Sequence, residues 1–338
     1  MILVIFGAGA SYDSVSNHRP GEHQPFRLPL ADRLFDDRPL FQQIAARFSR
    51  CQPIVPHLRH LKENATLEQT LSEFRDGADK NPERHKQLAA IRYYLQEALF
   101  RCEEKWKEVH TGVTNYKTFL DYCRDCRCYT PEPICLVTFN YDTMLETAFQ
   151  ESFDHTFHKP SDYVSRDDYL FFKLHGSVTW GRVVGLDVHR DPNAYNAHRL
   201  IEMAGPQLPL LNEFRVLSAP VDAVINGEAL FPAIALPLEA KTTFECPEGH
   251  LTMLQSLLPQ TTKLLTIGWR ATERHFLKLL FENLKGPLLL TVSGNLESSR
   301  QTAENLFADG LEFRSPDYFD GGFTDLILSN DLKVFLQS

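Results

Sequence analysis

Long apolar runs are missing from this chain. A membrane-spanning helix needs about 18 or more consecutive apolar residues. The nearest approach, the opening MILVIFGAGA, is interrupted by a glycine-rich turn. No basic stretch precedes that run, so no secretion leader is expected, and no membrane association. Positive charge is also scarce: 35 Lys and Arg stand against 44 Asp and Glu, a formal net charge of −9. Phosphate-backbone tracking needs an extended basic surface, so no direct nucleic-acid binding is expected. The nearest thing to a basic patch, His189, Arg190, His198 and Arg199, reads as a solvated loop. Cysteines number seven, an odd count and too sparse for a disulfide scaffold. Reduced thiols in a cytoplasmic protein are therefore expected. Internal repeats and low-complexity tracts are absent as well. What is left is a globular composition, 43% apolar and 23% charged, with chain enough for one large domain or two ordinary ones.

Five short apolar runs, at residues 2–6, 134–139, 170–174, 264–267 and 288–292, are continuous rather than alternating. Such runs fit strands buried on both faces of a parallel sheet. A weaker sixth surrounds residues 311–313. Helical patterns follow at 143–149, 273–284 and 298–307. Strands alternating with helices predict an α/β fold, a doubly wound Rossmann-like parallel sheet of about six strands.

Between residues 30 and 128 the pattern turns helical. Thr66 and Gln69 have capping-box spacing ahead of Leu67, Leu71 and Phe74. Asn81, Pro82 and Glu83 form a helix start, after which Leu88, Ile91, Leu95, Leu99, Cys102 and Trp106 recur at three- and four-residue steps. This section is expected to be a helical insertion within a single domain spanning 1–338. Residues 181–232, with prolines, glycines and weak periodicity, are expected to be a loop-rich insertion.

Unusual residues gather where each strand run ends. The clusters are Gly7, Ala8, Gly9, Ala10 and Ser11; Asn140, Tyr141 and Asp142; His175, Gly176 and Ser177; Gly268 and Trp269; and Ser293, Gly294 and Asn295. Ligands of open parallel sheets bind beyond these carboxyl ends. Gly7 permits a tight turn, Gly9 leaves room for a close diphosphate, and a following helix would offer unpaired amides. The third glycine of the usual fingerprint is absent, with Tyr12 in its place, and a plain βα turn explains the same residues. Asn140 can hold a water, a ribose hydroxyl or a carboxamide, and serves equally as a turn residue, with Asp142 as an acid near a helix start. His175 suits proton transfer near neutral pH, with Gly176 leaving space beside it; a structural histidine is the alternative.

GAGAS, TFNYD, KLHGS, LLTIGW and VSGN, in that order, together resemble the sirtuin-like NAD-binding family. RLPLADRLF and GWRATERHFLKLL are similar to its divergent bacterial NAD-hydrolase branch. The resemblance runs from about residue 2 to residue 326, and TFNYD and KLHGS are its specific parts. It implies that Gly7, Ala8, Gly9 and Ser11 lie against the diphosphate, and that Asn140 positions the attacking water and the nicotinamide ribose. His175 would act on a ribose hydroxyl or that water, and Asp142 is similar to the acid after the Asn. Gly268, Ser293 and Asn295 would line the adenosine end.

Deacylase sirtuins carry a four-cysteine zinc module beyond the catalytic His, whereas here only Cys246 follows His175. Cys123, Cys126, Cys128 and Cys135 lack two separated CxxC pairs and read as buried thiols, with a metal site as the alternative. Cys246 and His250 read as part of a turn. No metal is expected. The implied activity is NAD hydrolysis to nicotinamide and ADP-ribose, used in anti-phage defence and gated by self-assembly or a partner protein, with residues 30–128 as the candidate surface. A non-catalytic NAD or ADP-ribose sensor and an ADP-ribosyltransferase are the alternatives.

Overall fold

The computed structural model describes residues 1–14, 26–60, 66–110, 112–126, 132–187, 195–221, 224–237, 244–308 and 310–338. The first strand, β1 (Ile2–Phe6), leads directly into the short helix α1 (Ala8–Tyr12). Five further helices precede the second strand: α2 (Pro39–Arg47), α3 (Val55–Arg59), α4 (Leu67–Asp76), α5 (Glu83–His110) and α6 (Asn115–Cys126). Then come β2 (Ile134–Thr138), α7 (Met144–Phe153), β3 (Tyr169–Lys173) and β4 (Gly176–Val184). Helix α8 (Ala197–Met203) leads to β5 (Leu210–Val216), β6 (Ala229–Ile234) and α9 (Glu248–Leu257). The remainder alternates regularly: β7 (Lys263–Ile267), α10 (Arg274–Asn283), β8 (Leu288–Val292), α11 (Leu296–Ala308), β9 (Pro316–Phe319), α12 (Phe323–Leu328) and α13 (Asp331–Gln337).

Six strands form one parallel sheet in the order β3-β2-β1-β7-β8-β9. Counting only these strands along the chain, the order is third, second, first, fourth, fifth, sixth. That is the doubly wound Rossmann arrangement, and its switch point falls between β1 and β7. Ile2 sits opposite Ile134 on one side and Lys263 on the other, so the carboxyl ends of these strands finish level. All five side chains of β1 are buried. Each large apolar side chain so enclosed contributes about 1.5–3 kcal/mol.

The expected α/β fold and its first five strands are present with small shifts at their ends. The sixth is displaced. It lies at Pro316–Phe319, not at 311–313. Leu311 is buried and Phe313 packs against Phe307, so the apolar residues anchor the approach to the strand instead of forming it. The strand itself is a half-exposed edge opening on proline, and such edges lack an apolar signature.

Helix α4 begins with the full capping box, Gln69 amide to Thr66 Oγ1 and Thr66 amide to Gln69 Oε1. Helix α5 buries Ile91, Leu95, Leu99, Cys102 and Trp106 as the stripe requires, and also Tyr93, Tyr94, Gln96 and Glu103 on other faces. Its neighbours explain this: Tyr93 meets Phe231 of β6 edge-on, and Gln96 donates to Trp180 O of β4 and accepts from the Val221 amide.

Residues 181–232 differ from the loop-rich expectation. Among the described residues they hold the last four residues of β4, then α8, β5 and the start of β6, and β4, β5 and β6 make a second sheet, antiparallel, in the order β5-β4-β6. Neither a continuous apolar run nor an alternation marks these strands, because β4 carries Ser177, Thr179, Gly181 and Arg182 and Pro232 interrupts β6. His189 and Arg190 lie outside the described residues. Among the described residues no helix is long and apolar enough to cross a membrane.

Candidate functional site

At the switch point the loops after β1 and β7 interlock. The Gly7 amide donates to Ile267 O and the Gly9 amide to Gly268 O, both at 3.0 Å. A Cβ on Gly7 would stand 2.5 Å from Gly268 O, and one on Gly9 2.8 Å from Gly268 Cα. Gly268 itself has φ +61°, and its own Cβ would meet Ala10 N at 2.2 Å. These glycines therefore let two backbones cross, a role distinct from the expected clearance for a diphosphate. The expected helix of unpaired amides is also modified: α1 has five residues, and the amides of Gly7, Gly9 and Ala10 already bind Ile267 O, Gly268 O and Gly7 O.

Above this crossing opens a cavity of about 860 Å³. Its wall includes Gly7, Ala8, Gly9 and Ser11 after β1, Asn140 and Asp142 after β2, and His175 after β3. Gly268 after β7 and Ser293 after β8 complete the predicted set, save one residue. Asn295 is not in the lining. Its Oδ1 accepts from the Ser298 amide at 2.9 Å, an N-capping bond at the start of α11.

Asn140 is buried, 6% exposed. Its Nδ2 donates to Gly7 O (2.9 Å), Ser11 Oγ (2.9 Å) and Tyr116 Oη (3.0 Å). A carbonyl can only accept, so the Gly7 contact fixes which end of the amide is nitrogen. Asn140 Oδ1 has no hydrogen-bond partner among the described residues. Buried polar atoms are nearly always paired, so an exception asks for a use.

Asp142 is buried two residues on. Burial, reinforced by the nearby Glu103 charge, raises its carboxyl above the usual range, against the opposing pull of Lys173, Ser11 and the Met144 amide. Below it Lys173, wholly enclosed on β3, donates to Asp142 O (2.5 Å) and pairs with Glu146 of α7 at 3.0 Å. Burial likewise raises Glu146. From the long helix α5, Glu103 accepts the Thr143 amide (2.8 Å) and hydroxyl (2.5 Å), and pairs with Lys107 at 2.8 Å. The loop carrying Asn140 is thus pinned by charged groups from β3, α5 and α7.

His175 links the two sheets. Its carbonyl accepts the Ala235 amide (3.0 Å), and its ring lies 4.7 Å from the Phe139 ring and 6.3 Å from Tyr141. Phe139 stacks in turn on Trp269 at 5.6 Å, giving that wall an aromatic face. Gly176 was expected to leave space beside the imidazole. Instead its φ is +77° and a Cβ would stand 2.0 Å from Ala233 O, so the space is needed by β6.

Sequence reasoning gave no role to Tyr116, Glu103, Lys173 or the cavity-lining Phe139 and Trp269. Trp269 was visible as part of LLTIGW; Tyr116 and Glu103 stand in the helical section with no motif to mark them. Among the described residues no group of three or more His, Cys, Asp or Glu is placed to hold a metal ion. Cys123, Cys126 and Cys135 are buried, and burial raises their thiols; Cys128 lies outside the described residues. Cys246 is buried too, and His250, rather than forming part of a turn, lies on α9 with its Nε2 bonded to Pro160 O at 3.0 Å.

Solved structures similar to this chain include a Sir2 homologue mutant in complex with 2'-O-acetyl-ADP-ribose, at 10% identity, covering 92% of this chain and 93% of that one, with a TM-score of 0.40. Another is Sir2 with the inhibitor EX-527, 2'-O-acetyl-ADP-ribose and a deacetylated p53 peptide, at 11% identity, 92% and 94% coverage and a TM-score of 0.34. A third concerns sirtuin substrate affinity, at 10% identity, 99% and 94% coverage and a TM-score of 0.35. No curated protein matches the sequence. A family model described as a SIR2-like domain matches residues 134–195. Over that stretch, which carries both Asn140 and His175, the chain is SIR2-like, as TFNYD and KLHGS led us to expect.

Proposed function

We propose that this protein binds NAD in the cavity at the switch point and hydrolyses it to nicotinamide and ADP-ribose. The observation that carries the reading is that Asn140 and His175, 35 positions apart, line one cavity together with residues 7, 8, 9 and 11 and Ser293. A cavity of about 860 Å³ has room for a dinucleotide-sized ligand. The oxidised nicotinamide ring carries positive charge and leaves readily, so the glycosidic bond breaks through an oxocarbenium-like state. The protein has to hold the ribose, shield it and place a water; proximity and electrostatics dominate.

In this reading Asn140 orients the ribose and the attacking water, and His175 accepts a proton from that water or a ribose hydroxyl. Asp142 supports Asn140. Gly7, Ala8, Gly9 and Ser11 face the diphosphate, while Gly268 and Ser293 face the adenosine end. Asn295 acts there only through the helix it caps. The chain is one domain, residues 30–128 are an insertion within it, and the cellular role is gated NAD depletion in the cytoplasm during anti-phage defence.

Purified protein incubated with NAD is expected to release nicotinamide and free ADP-ribose in equal amounts. His175→Ala should lower turnover by about 10²–10⁴-fold, the usual cost of removing a positioned acid–base group, and Asn140→Ala by about 10²-fold or more, the cost of misplacing the ribose and the water. ADP-ribose found attached to an acceptor would make the protein a transferase. Intact NAD with measurable affinity would make it a sensor.

A further inference from the structure

Tyr116 is buried on α6 and lies outside the cavity lining. Its ring packs edge-on against Phe6 at 5.2 Å and Phe323 at 5.4 Å, which fixes where the hydroxyl stands. That hydroxyl is 2.9 Å from Ser11 Oγ and 3.0 Å from Asn140 Nδ2. An amide nitrogen only donates, so the phenol oxygen accepts from Asn140 and its own proton is left for Ser11 Oγ. Burial keeps the phenol protonated, well above its ordinary range. Ser11 in turn hydrogen-bonds to the Asp142 carboxylate. The directions agree along one line: Asn140 to Tyr116, Tyr116 to Ser11, Ser11 to Asp142.

We propose that Tyr116 is a positioning residue, which together with Ser11 and Gly7 O holds the Asn140 amide nitrogen and so leaves Oδ1 as the atom Asn140 presents to the ligand. All the acceptors around Nδ2 are protein atoms, whereas Oδ1 has no partner among the described residues. An acceptor selects a donor: a ribose hydroxyl or the attacking water, and not the carbonyl of a carboxamide. The identity of that donor rests on the hydrolase reading above; the orientation of the amide does not. Tyr116→Phe keeps the ring packing and removes one acceptor. The amide then gains freedom to rotate and exchange the places of its nitrogen and oxygen.

The test compares parent, Tyr116→Phe and Ser11→Ala in two readouts. In NAD turnover, Tyr116→Phe should lower kcat by about 10- to 100-fold with KM changed by about threefold or less, as misplacement without lost binding does. In protein labelled at asparagine, solvent exchange of the Asn140 side-chain amide, assigned by its loss in Asn140→Ala, should quicken about tenfold or more in both variants. Unchanged exchange in both overturns the proposal, as does a kcat loss matched entirely by a smaller folded fraction. If the parent releases no nicotinamide, the hydrolase reading fails while amide exchange still decides the role of Tyr116. Should Tyr116→Phe not fold, Ser11→Ala probes the same amide from the other end of the triangle, and its exchange rate decides alone.

Discussion

Asp142 shows how one side chain at this site trades stability for position. Its carboxyl is raised first by burial and then by Glu103, and only partly relieved by Lys173, Ser11 and the Met144 amide. A raised carboxyl pKa means that the folded state keeps its proton after the unfolded chain has lost it. Stability is then fully present below the ordinary Asp value and falls as pH climbs toward the folded value. Asp142→Asn removes that fall. We expect its melting temperature to gain on the parent as pH rises from about 4 to about 8, with little difference at the acid end. Glu146 is shifted in the same direction, in part by the Asp142 charge, so its shift relaxes in the variant and adds to the same gain. A parent–variant difference that stays flat or shrinks with pH would show that Asp142 is not held as described.

Between elements, the decisive link is the pair formed by Lys173 of β3 and Glu146 of α7, at side-chain exposures of 0% and 8%. Lys173 also donates to Asp142 O, and Tyr163 Oη donates to Glu146 Oε1 at 3.3 Å, so the pair is embedded in hydrogen bonds. Removing one partner of such a pair leaves an uncompensated buried charge. Lys173→Met should lower stability by about 3–5 kcal/mol, and Lys173→Met with Glu146→Leu should recover most of that loss. Chemical denaturation of the single and double variants reads both values. A double variant no better than the single would mean that packing, not charge, links the strand to the helix. The helical section reaches the same loop from the other side, through Glu103 on α5 and Tyr116 on α6. Two helices of a section marked in the sequence only as helical thus hold the segment that bears Asn140.

Across the whole molecule, those contacts join the surface of the helical section to the cavity, which gives the expected gating a physical route. If assembly through that section sets its helices, NAD turnover per chain should climb with protein concentration in step with oligomer formed. Specific activity measured alongside light scattering over a dilution series tests this, and full activity in a dilute monomer would end it. Much of the architecture was legible because it is local. Strands buried on both faces are continuous apolar runs, and the chain must change composition where it leaves the core, so residues 7–11, Asn140, His175 and Gly268 marked the strand ends. The edge strand Pro316–Phe319 and the antiparallel sheet of β4, β5 and β6 were not legible, because an exposed edge has no apolar run, and Gly181 and Arg182 in β4, Asn212 and Glu213 in β5 and Pro232 in β6 break both the run and the alternation that reveal strands. Tertiary structure alone decided which strand ends meet. It also set the purpose of Gly7, Gly9 and Gly268, which make room for one another's backbones. It chose the partners of Asn140, with Ser11 and Tyr116 separated by 105 positions and Gly7 and Asn140 by 133. Periodicity and turn chemistry act over a few residues, whereas a hydrogen bond needs only that two atoms come within about 3 Å, however far apart in the chain they stand.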